Sequence, residues 1–411
     1  MPLTDMISLI NHVTDQYDAI QAVNEEILKS LPQLDSPLYS DLLPLFNVTK
    51  NDISALKHLQ IPERKRLLQS GLPFFTLYFQ DADLQSSIRR KSHAEIESDL
   101  THLIAMQHSG IDAVGLMRSA PETTQRWISD VNVKIIDLLK ALAKTEHPLS
   151  KAYFGLTYQE TEKLANRAEE LHYINGMGLL LKGLPFFTVN PIWTSVNLHK
   201  KEAFSDVRGR LAQVYLSNNA PKPKPGKNQK VLMFQDDDRN TLARRMIAVG
   251  ARAVFLTHYM RMPTEMARNL YHKETGRQPR SGQTPTDHLW FKQTNARRKV
   301  GAMLMITYQR WRQVLTFRAD NAKMLALYLT YYGYTKGEIE VGVDLDRFEL
   351  LTQGWMLSPD QFLSGTASNF ETSNGLSAEF FVTKCKSCGI PLLTDYGTMA
   401  TQCRECSNRR A

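Results

Sequence analysis

Gly71-Leu72-Pro73-Phe74-Phe75-Thr76 recurs as Gly183-Leu184-Pro185-Phe186-Phe187-Thr188, and this repeat decides how the first half of the chain is read. Upstream, Phe46-Asn47-Val48-Thr49 parallels Phe154-Gly155-Leu156-Thr157. Each threonine suits the N-cap of a following helix, whose first N–H groups lack partners within the helix. An apolar-periodic stretch then leads to each Gly-Leu-Pro-Phe-Phe, and it is about one helical turn longer in the second copy. Amphipathic helices are expected before each copy, near 15–31 and 131–144, and after each, near 93–107 and 205–216. Agreement of the flanks favours duplication of a helix–helix–short strand–helix module of about 100 residues over a chance identity.

Pro73 and Pro185 have no N–H to give to a ladder, so each Phe-Phe segment reads as an edge strand or one that starts just after the proline. Two such edges in one chain would pair about a pseudo-two-fold axis. That pairing would bury Phe74, Phe75, Phe186 and Phe187 as an internal, dimer-like interface. The alternative is two core strands with no special relationship.

The stretch from Asn218 to Asn228 has three prolines, one glycine and no large apolar side chain, which makes it an extended spacer and a domain boundary. Beyond it the charge changes. The whole chain carries +8, yet Arg239 to Asp320 alone holds 16 Lys and Arg against 4 acids, so the remainder is net acidic. Thirteen of those cations are arginines, whose planar fork suits phosphate and guanine. This block reads as a nucleic-acid-binding surface in preference to a solvated basic face.

Inside the block, helices are expected to begin at Leu242 and at Gly250, followed by a tight turn at Arg261-Met262-Pro263-Thr264. A further helix over 264–273, with Pro263 at its first position, ends near Gly276. Ala267, Leu270 and Tyr271 fall on its core face, whereas Thr264, Glu265, Arg268, Asn269 and His272 face outward. Two helices across a tight turn form a candidate helix-turn-helix. Arg268 suits guanine and Asn269 adenine, with Thr264 beside them as a third base contact. Arg252, Arg261, Lys273, Arg277 and Arg280 are placed for phosphates. Arg297 and Arg298 begin a helix whose core face carries Met303, Leu304, Ile306, Tyr308 and Trp311, and they are expected to touch the DNA backbone.

All four cysteines lie near the end, as Cys385-x-x-Cys388 and Cys403-x-x-Cys406. Two such knuckles at this separation are the spacing of a structural Zn2+ ribbon, with a hairpin between the pairs bringing them together. Four thiolates close the coordination shell, so the metal is structural. No cysteine remains for a disulfide framework, which fits a reducing cytoplasm. No apolar run reaches membrane-span length, and Met1-Pro2-Leu3-Thr4-Asp5 lacks the basic start of a signal peptide. Signatures of phosphate-binding loops, zinc proteases and serine hydrolases are missing, so no enzyme is expected. Asp236-Asp237-Asp238 reads as a helix-start charge run, with a Mg2+-dependent nucleic-acid-processing site as the alternative.

Val249-Gly250-Ala251-Arg252, Met262-Pro263, Asn269-Leu270-Tyr271-His272-Lys273-Glu274-Thr275-Gly276-Arg277-Gln278-Pro279 and the terminal four-cysteine site occur in one order. Together they resemble the C subunit of the bacterial flagellar master transcriptional activator (FlhC), over roughly 241–410. The duplicated modules resemble its partner D subunit (FlhD). The second is the closer, through Leu138-Leu139, Ala141-Leu142-Ala143 and Ala152-Tyr153-Phe154-Gly155-Leu156. Relatives of this activator also govern conjugative elements. The fused chain, its spacer, its cysteine-free D-like modules and Pro263 in place of a serine cap depart from that pattern.

The resemblance implies a mainly α protein with D-like modules at 1–110 and 122–217, a linker at 218–230, a C-like DNA-binding domain at 231–380 and a zinc ribbon at 381–411. It implies a sequence-specific activator that binds double-stranded DNA, contacts RNA polymerase and works as a homodimer of chains, each equal to half of the two-subunit assembly. The location implied is the bacterial cytoplasm, at the nucleoid, with no membrane. A DNA-packaging or partition protein without strong sequence preference is the remaining alternative.

Overall fold

A computed structural model describes residues 6–69, 71–77, 115–116, 119–144, 153–154, 156, 161–166, 168–169, 185–194, 207, 236–279, 288–315, 319–336, 341–353, 381–394, 402–403 and 406. The spacer at 218–228, the helix expected at 93–107, all but Val207 of that expected at 205–216, Thr157, Arg280 and Arg404, Arg409 and Arg410, which follow or interrupt the second knuckle and are expected near the phosphate backbone, lie outside the described residues. The protein is mainly helical, with two short antiparallel strand pairs among the described residues. It divides into two compact units, one formed by 14–200 and one by 1–13 together with 201–411.

In the unit formed by 14–200, the duplicated sequence builds a duplicated structure. Helix α1 (Met6–Ser30), which belongs to this unit from Thr14 onward, is followed by two 3-10 segments (Leu31–Asp35 and Pro37–Phe46). Next come α2 (Lys50–Lys57), α3 (Ile61–Gln69) and β1 (Phe75–Leu77). The second copy supplies α4 (Glu122–Leu142), β2 (Phe187–Val189) and the single turn α5 (Pro191–Thr194). Thr49 caps α2 as its sequence suggests. Its hydroxyl accepts from Asp52 N–H at 3.2 Å while the Asp52 carboxylate accepts from Thr49 N–H at 2.8 Å.

The strands β1 and β2 pair with each other, in the register Phe75↔Val189, Thr76↔Thr188 and Leu77↔Phe187. Thr76 and Thr188 are the same position of the repeat. A pseudo-two-fold axis therefore passes between them, where their hydroxyl oxygens lie 2.7 Å apart. Phe74, Phe75, Phe186 and Phe187 are all buried. The aromatic contacts cross reciprocally: Phe46 of the first copy lies 5.6 Å from Phe187 of the second, and Phe154 of the second lies 5.7 Å from Phe75 of the first. Helices α1 and α4 run antiparallel. Gln16 Nε2 donates to the Ala141 carbonyl at 3.1 Å near one end, and Trp127 Nε1 donates to the Glu26 carbonyl at 3.3 Å near the other.

Two buried asparagines fix the strands to these helices. Asn24 on α1 donates to the Leu72 carbonyl and accepts from Phe74 N–H, both at 2.8 Å, thereby clasping the backbone around Pro73. Asn132 on α4 accepts from Phe186 N–H at 2.8 Å, next to Pro185. The spans from asparagine to phenylalanine are 50 and 54 residues, so the extra helical turn of the second copy is absorbed between two equivalent anchor points.

In the other unit, α6 (Asp236–Ala248), α7 (Ala253–Tyr259) and α8 (Thr264–Thr275) form a three-helix group. Its apolar faces supply Leu242, Met246, Phe255, Leu256 and Ala267 to the core, and α8 packs on both α6 and α7. Asp236 opens α6, which matches a helix-start charge run. A 3-10 segment (His288–Lys292) leads to α9 (Asn295–Val314), then α10 (Ala319–Thr335) and α11 (Leu345–Gln353). Helix α9 is buried on nearly all sides from Lys299 to Trp311 because it packs on α10, α11, the 3-10 segment and a terminal hairpin. That hairpin pairs β3 (Phe381–Lys384) with β4 (Pro391–Thr394). Among the described residues, no helix is long and apolar enough to cross a membrane.

The asparagine clasp gives a direct prediction. Asn24→Ala and Asn132→Ala each strand a buried N–H, at a cost of about 1–3 kcal/mol. Urea unfolding of the full chain should show similar losses for the two variants. A loss confined to one of them would contradict the pseudo-symmetry of their roles.

Candidate nucleic-acid interface and metal centre

The turn into α8 is set by backbone chemistry. Helix α6 ends at Ala248 and Gly250 follows in a turn, with a φ of +102° that suits glycine alone and its N–H reaching the Ile247 carbonyl at 2.9 Å, so the helix expected to begin at Gly250 starts instead at Ala253. Ala251 is buried, and Arg252 is the N-cap of α7. At the far end of α7, Arg261 adopts a left-handed φ of +53°. The N–H groups of Met260 and Met262 both reach the Leu256 carbonyl at 3.2 Å. Pro263 is the N-cap of α8, one residue before its expected place at the first helical position, and its carbonyl accepts from Ala267 N–H at 2.9 Å. Gly276, with φ +66°, closes the helix, and the Thr275 hydroxyl donates to the Tyr271 carbonyl at 2.8 Å.

Ala267 is fully buried and Leu270 and Tyr271 are half-buried, so α8 is held by one side. Thr264, Glu265, Arg268, Asn269, His272 and Lys273 are all exposed, as are Arg261 and Arg277. Among the described residues, none of Thr264, Arg268 and Asn269 is engaged by another side chain.

Three expected phosphate contacts have work inside the fold. Arg252 approaches the Asp346 carboxylate with Nε at 2.6 Å and a terminal nitrogen at 2.5 Å. Asp346 belongs to α11 and is buried, so this pair ties the start of α7 to α11. Burial raises the Asp346 pKa above its ordinary value, and the Arg252 guanidinium pulls it only part of the way back. Arg297 bonds the Gln293 side chain and lies over the Trp290 ring, 4.1 Å from its centroid. Arg347 approaches the same ring at 4.7 Å. Arg298 Nε donates to the Lys292 carbonyl at 3.0 Å. Trp311 is buried as expected, and Met303 is only half-buried.

The four cysteine sulfurs lie within 4.8 Å of one another and are positioned to hold a metal ion. The hairpin brackets the first knuckle: Cys385 to Ile390 form the loop between β3 and β4. This hairpin starts before the first pair, since β3 precedes Cys385, and of the stretch between the pairs only 389–394 and 402 are described. The loop closes through Cys385 N–H to the Ile390 carbonyl at 2.9 Å, and Gly389 takes the left-handed turn at φ +71°. Cys403 comes alongside, its N–H donating to Cys385 Sγ at 3.3 Å. Cys385 and Cys403 are buried with Leu392, Cys406 packs against them, and Cys388 is exposed.

Burial by itself would raise the Cys385 thiol, but the N–H groups of Cys403, Cys388 and Ser387 outweigh it and bring the pKa down to about 6. Cys388 is exposed as a residue but its sulfur faces the other three, and the water lost there is the chief cause that raises its thiol; the Cys406 thiol is raised, chiefly by its hydrogen bond to Cys403. Ligation by all four sulfurs therefore demands proton release, and metal affinity rises with pH.

Residues that no sequence pattern singled out carry much of this site. Asp346, Trp290 and Arg347 are examples. Gly301 is another: a Cβ built there would lie 3.0 Å from Phe291 and 3.1 Å from Leu393, so this glycine lets β4 sit directly on α9. Its signal in the sequence is faint, a single glycine inside an amphipathic helix. Comparison with protein-family models, curated proteins and solved structures returns no match.

Removing the Arg252 side chain leaves a buried carboxylate uncompensated. Arg252→Ala should lower stability by about 2 kcal/mol at neutral pH, less than for a fully buried pair because Arg252 is partly exposed. A raised carboxyl binds its proton more tightly in the folded state, so stability falls as pH rises through that raised value. The deficit of the variant should accordingly shrink as pH drops toward about 4, the unfolded carboxyl range. Denaturant titrations across pH check both the size and the direction.

Proposed function

We propose that the chain is a sequence-specific, double-stranded-DNA-binding activator of transcription in which α8 is the reading helix. The observation that carries this reading is the one-sided support of α8. Its only fully buried residue is Ala267, while Thr264, Arg268 and Asn269 stand exposed within a segment of strongly positive charge. A helix held that way across a tight turn from α7 suits insertion into a major groove about 12 Å wide. Arg268 pairs with guanine, Asn269 with adenine, and Thr264 adds a third base contact. Arg261, Lys273 and Arg277, all exposed, hold phosphates together with Arg280. Arg297 and Arg298 contribute only the donors left after their bonds within the fold. Arg252 is reassigned from phosphate contact to bracing α7 against α11.

The metal is Zn2+. Four thiolates with no nitrogen or oxygen donor among them suit its tetrahedral preference and leave no open position, so its part is structural. One zinc per chain is expected by elemental analysis.

The two-fold pairing of β1 and β2 supports reading the first half as a fused pair of D-like modules, resembling the D dimer of the flagellar activator. Two such chains then equal the family's assembly, and the working form is a homodimer. Contact with RNA polymerase, and action at the nucleoid in the cytoplasm, follow from that resemblance.

Base preference of the full chain, selected from a randomised duplex library, tests the reading. Arg268→Ala should relax preference at one or two positions by about 1–3 kcal/mol while the slope of affinity against salt stays nearly constant. An identical preference in the variant would remove Arg268 from the reading set.

A further inference from the structure

Helix α8 has two acids, and the fold uses only one of them. Glu274 pairs with Arg244 at 3.5 Å. Glu265 is exposed, and among the described residues no cation pairs with it. Its place on the helix is decided by Ala267, which faces the core. Glu265 and Asn269 lie two residues to either side of Ala267 and His272 five beyond it, roughly 140–200° around the helix. Arg268 is only roughly 100° away, on the flank. The central outward stripe of α8 is thus Glu265, Asn269 and His272, with the acid in the first turn.

We infer that Glu265 is a specificity-determining residue of the reading face, accepting a hydrogen bond from the exocyclic amino group of a cytosine in the major groove. This rests on the proposed role of α8. An exposed carboxylate on a DNA-facing helix opposes the phosphates and is repelled by the acceptor atoms of guanine and thymine. Its presence is favourable where it meets an amino donor, and the cytosine N4 group provides one. The same charge that lowers general affinity therefore raises discrimination.

The test compares the full chain with Glu265→Ala and Glu265→Gln by selection from a randomised duplex library and by titration with an unselected duplex. Both variants should lose about tenfold or more discrimination for cytosine at one position. Both should also bind the unselected duplex more tightly, because a repulsive charge is gone. Glu265→Gln should move part of the preference to adenine, and thermal unfolding should show each variant folded. Unchanged cytosine preference with duplex binding retained overturns the role of Glu265. Failure of the unaltered chain to select any sequence overturns the reading of α8 on which it rests.

Discussion

A missing side chain sets the geometry of the C-terminal unit. At Gly301, α9 approaches so closely that an added Cβ would press on Phe291 and Leu393 at 3.0 and 3.1 Å. Both neighbours are buried and have little room to yield. Leu393 belongs to β4, the strand that leaves the first cysteine knuckle. The metal centre is thereby fastened to the middle of α9. From α9 the contacts continue: Tyr308 meets Phe348 of α11 at 6.1 Å, Asp346 of α11 holds Arg252 at the start of α7, and α7 packs on α8. Each step is a packed or charge-paired contact, so one continuous path of contacts joins the cysteine cluster to α8.

The N-terminal unit solves a different problem. A proline before a strand removes a donor, and a short strand pair offers few ladder bonds of its own. Duplication answers both. Each copy provides the other's partner strand, Thr76 and Thr188 meet on the axis, and buried Asn24 and Asn132 supply acceptors from the helices. Separate copies would have to associate to form this pairing. In one chain the two copies are always present together, and the association term disappears.

The repeat was legible because Gly-Leu-Pro-Phe-Phe-Thr is an uncommon string with matching flanks, and the four cysteines were legible by spacing. Pro263 and Gly276 bound α8 close to the ends its sequence suggests, whereas Gly250, expected to open a helix, takes a turn at φ +102° and α7 starts only at Ala253. Long-range partners were not legible. Nothing local in the sequence pairs Arg252 with Asp346, 94 residues away. The buried asparagines drew no sequence reading, although the pair recurs in the two copies as Val23-Asn24 and Val131-Asn132. The hairpin was not legible either, because β3 (Phe381–Lys384) lies outside the cysteine spacing and the first knuckle is itself the loop that joins it to β4.

Along the contact path from the cysteine cluster, a metal held by the four cysteines would brace α8. Amide hydrogen exchange on the full chain, with metal bound and after chelation, decides whether it does. The contact path predicts that chelation speeds exchange across 381–406 and also across 264–275. Faster exchange at the cysteines alone, with 264–275 unchanged, would contradict it.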